Sequence, residues 1–489
     1  MTKQITKHFM AFFLSLLMAV SMGLTAFADE TTYKLTLKGT TTGHTYEAYQ
    51  IFTGDLSKKE DGTKVLSNVK WGTGVTYTGT ESAADVAKKL GDGTMTIAQL
   101  EDKLTLKIPV KTVESAEGST SIEGLAAGYY LVKDKDGTQK DKSDAYTKFI
   151  VQVVGDTEAA VKSDVPTVVK KVQDTNDSTG ETTGWQDSAD YDIGDEVPYQ
   201  ITGTMPENIA DYTTYKYVFT DTMSKGLTYT AKNRTIKIGD KNVTSSFTET
   251  VTANEGGSTT VTWSCDNLKG IEGVTLDKDT KVVVTYSATL NKDAVIGAAG
   301  NPNEVDLTYS NNPNKGGDGE TGKTPKDKNI VFTYKTVVNK VDQDGKTPLP
   351  GAAFKLEKKS DGTYTTVKEF TAGTDTKFEF NGLDDGDYKL SETTTPDGYN
   401  TIVPIEFTIS AEHDTDSDDP KLTSLTGKVT SGEATFTVEK DARSLTTNVK
   451  NMKGSTLPST GGIGTTIFYA AGGALVVLAG VMIAARKRA

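Results

Sequence analysis

Cysteine is almost missing from this 489-residue chain: Cys265 stands alone, so no internal disulfide can close. Histidine is nearly as scarce. His8 lies in an N-terminal apolar stretch, and His44 and His413 are far apart in sequence, which leaves a structural zinc site or a Cys–His nucleophile without support. A basic excess is also absent. The formal net charge is −13, which argues against nucleic acid as a partner, since that needs a basic face. "DQDGKTPL" (342 to 349) opens like a calcium loop, but glycine is not sixth and no glutamate closes twelve residues, so neither an EF-hand nor any metal or cofactor is expected.

Long apolar runs are confined to the two ends. Lys3 and Lys7 precede the stretch Phe9 to Val20, and Ala26-Phe27-Ala28 supplies a small-residue cleavage pattern, so residues 1–28 read as a secretory signal peptide. Residues 467–485 carry no charge, and a helix of that length reaches roughly 28 Å, close to a hydrocarbon core of about 30 Å. Arg486, Lys487 and Arg488 follow, and cations are retained inside the cell, so everything earlier lies outside. Setting aside those three and the two lysines of the leader takes the net charge from −13 to −18, that of an acidic exoprotein. An extracellular chain of this length often carries disulfides. Covalent reinforcement here would need another chemistry.

What fills the interior is short alternation. "YKLTLKG", "KFIVQVV", "KVVVTYSATL", "IEFTIS" and "ATFTVEK" recur between Gly, Asn and Asp turns, which predicts an all-β chain of tandem sandwiches. The length suits about three of them. Pro166 marks an extended connector in "VKSDVPTVVKK", and "NNPNKGGDGETGKTPKDKN" (311 to 329) is too rich in Gly, Pro and charge to read as core. The division expected is a first β domain over 29–160, a middle domain over 161–320, a third over 330–452 and a terminal signal over 453–489. One helix is expected over 80–90. "GLAAGYYLVKD" and "GLDDGDYKLSE" resemble one another as a weak internal repeat.

Leu457-Pro458-Ser459-Thr460-Gly461, followed by an apolar span and a basic tail, resembles the LPxTG sorting signal of Gram-positive surface proteins. Pro458 fixes φ near −65° and gives the peptide a kinked shape that a groove could read. The resemblance implies a transpeptidase, a sortase, that cuts between Thr460 and Gly461 and joins the Thr460 carboxyl to an amine. "YKLSETTTPDGY" (388 to 399) is similar, position for position, to the E-box of Gram-positive pilins, Y-x-L-x-E-T-x-x-P-x-G-Y. In that family the glutamate, here Glu392, promotes a spontaneous Lys–Asn isopeptide bond.

With "VVNKVDQDGKTPLPGAAFKL" at its first strand and "VKNMKGSTLPSTG" ending its last, the third domain resembles a collagen-adhesin B-type immunoglobulin-like domain. Its reactive lysine would be Lys340 and its asparagine Asn451, with Asn448 as competitor. With "TVVKKV" near its start, "YKYVFTDTMSKGLTY" in its body and "GNPNEVDLTYSNNPN" at its end, the middle domain looks like the A-type isopeptide domain of backbone pilins, which implies Lys170 as nucleophile, Asp221 as catalytic acid and Asn303 as amide partner. Lys171 and Asn311 stay open as alternatives, because adjacent lysines point to opposite faces of a strand. The first domain has no E-box: "YYLVKD" has Val132 where the other pattern reaches toward its glutamate, and no crosslink is expected there.

Taken whole, the chain resembles the major (backbone) pilin of sortase-assembled pili. That resemblance implies a non-enzymatic, cell-wall-anchored fimbrial subunit. Its partners would be sortases, further copies of itself, accessory pilins and peptidoglycan, with a host surface ligand left unspecified. The acceptor lysine would be Lys162, eight positions before Lys170, although the family's V-Y-P-K-N context is replaced by Ala160-Val161-Lys162-Ser163. The alternative reading is a monomeric wall-anchored adhesin or accessory pilin, with Thr460 joined to peptidoglycan alone.

Overall fold

The computed structural model describes residues 31–454 apart from 60–61, 96, 162–164, 318 and 440–443. The leader, Lys162, the LPSTG peptide and the apolar tail lie outside the described residues. Among those described, no helix is long and apolar enough to cross a membrane.

Three β-units follow one another. In the first, Tyr33–Thr40 lies between Gly118–Leu125 and a parallel Thr157–Ala160, facing a sheet ordered Lys64–Trp71, Thr45–Lys58, Gly128–Asp134, Lys148–Val153. The strand Gly128–Asp134 is buried at every position. Its alternate side chains serve two cores, Tyr130 and Val132 packing with Leu35 and Leu37, and Tyr129 and Leu131 with Val86 and Leu90 of a helix. Burial on both faces explains why "GYYLVKD" lacks polar alternation. That helix runs Ala83–Gly91 and is capped by the Ser82 hydroxyl, which accepts from the Asp85 amide at 3.1 Å. A second short helix, Ile97–Glu101, has no counterpart in the sequence reading.

The middle unit is a sandwich. One sheet runs Val168–Val172, Glu196–Thr204, Lys281–Leu290, Leu227–Ile238; the other includes Ser188–Asp190, Asp327–Phe332, Asn301–Ser310, Tyr217–Met223 and Thr259–Cys265. Strand period two sends Tyr217, Phe219, Asp221 and Met223 inward together, against Trp263, Tyr199 and Tyr286. Each such aromatic removes enough apolar surface to contribute about 1.5–3 kcal/mol.

The third unit pairs Tyr334–Val341 side by side and parallel with Ser444–Lys450, its first strand with its last. The facing sheet is ordered Thr363–Glu369, Ala353–Ser360, Gly386–Thr394, Ile405–His413, Leu422–Ser431.

The segment 311–329, expected to be a connector, is instead built into the middle unit. Thr321–Lys323 and Asp327–Phe332 both pair with Asn301–Ser310, and Asn311, Asn312 and Asn329 are fully buried. The first unit's loop meets it, with Asn311 Nδ2 donating to the Gln139 and Asp144 carbonyls at 2.7 and 3.0 Å and the neighbouring Tyr309 Oη to the Ser143 carbonyl at 2.6 Å. The seam with the third unit is equally tight. Gly382 sits at φ +77°, and a Cβ there would come within 2.5 Å of Ile193 Cδ1, so only glycine fits.

His44 supplies a pH-sensitive fastening in the first unit. Its side chain is 1 % exposed, with Nδ1 2.9 Å from Asp134 and Nε2 3.4 Å from Asp144. Burial alone would lower its pKa, but hydrogen bonds and charge from the two carboxylates outweigh that and raise it from 6.5 to about 9. A folded pKa above the unfolded one gives stability that is complete below about 6.5 and lost as pH rises through about 9. Hydrogen-exchange protection of Thr45–Lys58, corrected for intrinsic rate, should therefore fall across that interval, and His44→Gln should flatten the fall.

Candidate functional site

Two of the buried lysines, Lys170 and Lys340, are those singled out from the sequence. Lys170 lies on the edge strand Val168–Val172, where Val168, Lys170 and Val172 point inward and Lys171 outward. Lys170 Nζ lies 2.5 Å from Asp221 Oδ1 and also contacts the Tyr286 hydroxyl. That hydroxyl donates to Asp221 Oδ2 at 2.7 Å and accepts from Asn303 Nδ2 at 2.9 Å. Asn303 shares a face with Asp221, being paired with Met223 on the adjacent strand. Lys170, Asp221 and Asn303 are all fully buried. The lysine thus crosses from one sheet to a carboxyl and an amide on the other.

The alternatives face elsewhere. Lys171 pairs with Asp187 at 2.5 Å and is partly exposed, while Asn311 binds the first unit.

Burial disfavours the charged form of both Lys170 and Asp221. It pushes the Lys170 amine down and the Asp221 carboxyl up, with their mutual attraction opposing both. Tyr199 and Tyr286 flank the amine with ring centroids at 4.9 and 5.0 Å. Tyr286, the group touching all three residues, was missed from sequence; "KVVVTYSATL" marks it only as one inward aromatic in an alternating strand.

In the third unit Lys340, fully buried, directs Nζ at the Val341 and Val449 carbonyls at 3.2 and 3.3 Å. Burial lowers its pKa to about 8 against the opposing charges of Glu392 and Asp342. Asn451, just past the neighbouring strand, is buried, and its Nδ2 donates to both Glu392 oxygens at 3.0 Å. Asn448 is exposed and accepts from Asn339 at 3.0 Å.

The E-box now has a physical account. Tyr388, Leu390 and Glu392 alternate inward; Thr395 Oγ1 and the Ile402 amide each donate to Glu392 Oε2 at 3.2 Å, holding the carboxyl toward Asn451. Beyond Pro396, Asn400 N binds the Met452 carbonyl at 2.9 Å, tying the motif to the segment that leads into the sorting peptide.

Both centres share a further trait: Asn303 Oδ1 and Asn451 Oδ1 are buried without a hydrogen-bond partner. Each arrangement places an amine of depressed pKa among a carboxyl and a carboxamide in a dry core. Lys162 and Thr460 belong to neither and lie outside the described residues.

Such a molecule belongs to the class of β-sandwich surface proteins with paired lysine–carboxyl–asparagine centres. Residues 193–313 match the family model of Gram-positive pilin backbone subunit 2, Cna-B-like domain; 335–421 match the SpaA prealbumin-like fold domain; 450–489 match the LPXTG cell wall anchor motif. The chain is 27% identical over 400 residues to the trypsin-resistant surface T6 protein of Streptococcus pyogenes serotype M6, covering 68% of this chain and 71% of that one. The T6 backbone pilin structure of S. pyogenes is similar in fold, with TM-score 0.53 at 19% identity, over 88% of this chain and all of that one. The full-length major pilin SpaD of Corynebacterium diphtheriae gives TM-score 0.50 at 20% identity over the same shares. With pilin-backbone and cell-wall-anchor matches along its length, this chain is a structural pilus subunit held at the cell wall.

The matched description is Cna-B-like for the middle unit, where an A-type domain was expected. The two units still differ in topology. Lys170 and Asn303 sit on opposite sheets, whereas Lys340 and Asn451 lie on or beside neighbouring strands of one sheet.

In an Asn303→Ala background, which isolates the Lys170–Asp221 pair from any reaction with the neighbouring amide, Lys170→Met should leave Asp221 buried and alone, lowering the middle unit's stability by about 3–5 kcal/mol. Lys170→Met/Asp221→Leu should recover much of it. Urea unfolding of both variants checks this; equal losses in the two would show that the pair is not what the core depends on.

Proposed function

We propose that this subunit is polymerised head to tail by a sortase, which transfers the Thr460 acyl group from Gly461 to the Lys162 amine of the next copy, and that two internal Lys–Asn amides brace each subunit. The observation that carries the internal chemistry is the contact of Lys170 with Asp221 and, through Tyr286, with Asn303. The neutral Lys170 amine attacks Asn303 Cγ, and protonated Asp221 hydrogen-bonds the amide oxygen as charge develops there. A proton passes to the departing nitrogen, and one ammonia leaves for each amide formed. Lys340, Glu392 and Asn451 follow the same balance. Proximity of this kind is worth about 7–11 kcal/mol of barrier. The chain reacts with itself once, so its role is structural rather than catalytic.

Each subunit has one acyl donor and one acceptor in different places, and a contact that does not close on itself gives an open fibre. The sorting-signal match supports the donor end. Lys162 stands between the first unit's last strand, Thr157–Ala160, and the middle unit's first, Val168–Val172. Accessory pilins and peptidoglycan complete the assembly.

The mature protein should weigh about 34 Da less than its sequence, from two ammonia losses driven to completion by proximity. Glu392→Ala should restore half of that deficit and lower thermal stability, since a crosslink limits the unfolded ensemble much as a disulfide does. An unmodified mass would refute the internal bonds. Lys162→Ala should convert the high-mass ladder of boiled surface extracts into a single band while leaving the internal deficit intact. Peptide mapping of fibres should show Thr460 joined to Lys162, and a branch at another lysine would refute that assignment.

A further inference from the structure

One polar side chain in the middle core has no part in the chemistry proposed above. Asn329 is fully buried, and neither its Nδ2 nor its Oδ1 has a hydrogen-bond partner. Burying both ends of a carboxamide unpaired is costly, and native cores rarely do so without a reason. Asn329 stands on the strand Asp327–Phe332, where Val331 packs into the middle core while Ile330 and Phe332 pack into that of the third unit. A period of two therefore sends Asn329 inward with Val331, into the core that holds Lys170. The same strand touches the lysine's backbone, since Asp327 Oδ2 accepts from the Lys170 amide at 2.5 Å.

Register places a counterpart opposite it. Asn329 is paired across the antiparallel ladder with Asn303. Directly opposed residues in such a ladder hold their Cβ atoms about 4.5–5.5 Å apart, near enough for one carboxamide to bond the other after a turn of its side chain. Asn303 has room for that bond: its Nδ2 donates to the Tyr286 hydroxyl at 2.9 Å, but its Oδ1 is buried without a partner. An orphaned donor thus faces an orphaned carbonyl oxygen. Asn329 is not itself placed to be attacked, because the bonds that run from Lys170 through Asp221 and Tyr286 lead to Asn303.

We infer that Asn329 Nδ2 donates to Asn303 Oδ1 as the internal amide forms, steadying that carboxamide and stabilising the charge that gathers on its oxygen. This role rests on the Lys170–Asn303 bond proposed above. In that step Lys170 Nζ bonds to Asn303 Cγ, the bond from Cγ to Nδ2 breaks, and a proton from the amine leaves with Nδ2 as ammonia. Charge on Oδ1 rises as Nζ adds and falls as ammonia departs, so a donor held at that oxygen acts where the barrier lies. Once ammonia has left, the same oxygen is the carbonyl of the crosslink, and the Asn329 bond satisfies it.

The test follows the mature protein, residues 29 to 460, made by cell-free synthesis and sampled over time by intact mass and peptide mapping. Loss of ammonia at Lys340 and Asn451 serves as an internal clock. Asn329→Leu keeps nearly the same shape without the donor, and should form the Lys170–Asn303 branch about 10²-fold more slowly while the third unit keeps its schedule. In an Asn303→Ala background, where that bond cannot form, Asn329→Leu should melt no lower than Asn303→Ala alone, since it removes an unpaired buried amide; a purely structural asparagine would melt lower. Asn329→Ser and Asn329→Ala leave similar gaps, yet only serine keeps a donor, and it should crosslink faster. A parental rate in Asn329→Leu, equal rates in the serine and alanine variants, or a branch joining Lys170 to Asn329 would overturn the role. No branch at Lys170 in the parent would overturn the underlying bond, and this role with it.

Discussion

An ammonium group cannot be taken into a dry β-sandwich without compensation, and this protein does so in two of its three units. Lys170 and Lys340 are each fully buried. Burial favours a neutral amine, a neutral acid or a close pair, and the surroundings of both lysines follow from that demand. Aromatic rings enclose Lys170, Asp221 answers it across the core, and Tyr286 completes the hydrogen bonds that neither could make alone. Around Lys340 two backbone carbonyls take the protons of the amine, while Glu392 is held by a hydroxyl and a backbone amide. These centres would be poor ways to stabilise a core if they were only ion pairs, since a buried pair repays little beyond its own desolvation. Consumption in the covalent bonds proposed above would remove the charge altogether.

The positions of the two lysines also suit a molecule that is pulled. In the third unit the first and last strands lie parallel, with Lys340 opposite Val449 and Asn451 two residues further on. Load entering at one and leaving at the other would cross between them without passing through the remaining strands. In the middle unit the lysine strand is at the edge of one sheet and the asparagine strand in the interior of the other, so a bond there would join the layers. The single cysteine, Cys265, has no second thiol in the chain with which to serve the same purpose.

Neighbouring units are joined by more than the chain. The first and middle units share backbone hydrogen bonds between the loops around Lys142 and Thr321, with Asn311 buried in the joint. At the other junction the Lys358 ammonium draws together Asp177 and Asp192 of the middle unit and Asp384 of the third, and His413 reaches across toward Asp174 and Asp190. Polar contacts of this kind specify an orientation, because an unmatched donor or acceptor in a buried seam is expensive.

Alternation was enough to read the all-β class; Asp221 in "YVFTDTM" came from the family resemblance, and its inward placement follows the period of two that fixes which face a side chain occupies. The same rule separates Lys170 from Lys171 once one face is known to be buried, and the twelve residues of the E-box carry Glu392 with them. Composition misled at 311–329: Gly, Pro and charge describe a loop in isolation, and nothing local shows that Asn311 and Asn329 will be covered by other segments. Tyr286 was illegible for a related reason, since its partners lie far along the chain. Sequence by itself determined which residues face inward, which motif anchors the chain at the cell wall, and where the lysine, acid and asparagine types stand. Only the tertiary structure decided which buried amine meets which acid and amide, because pairing between strands and between units is set by contacts that no local period encodes.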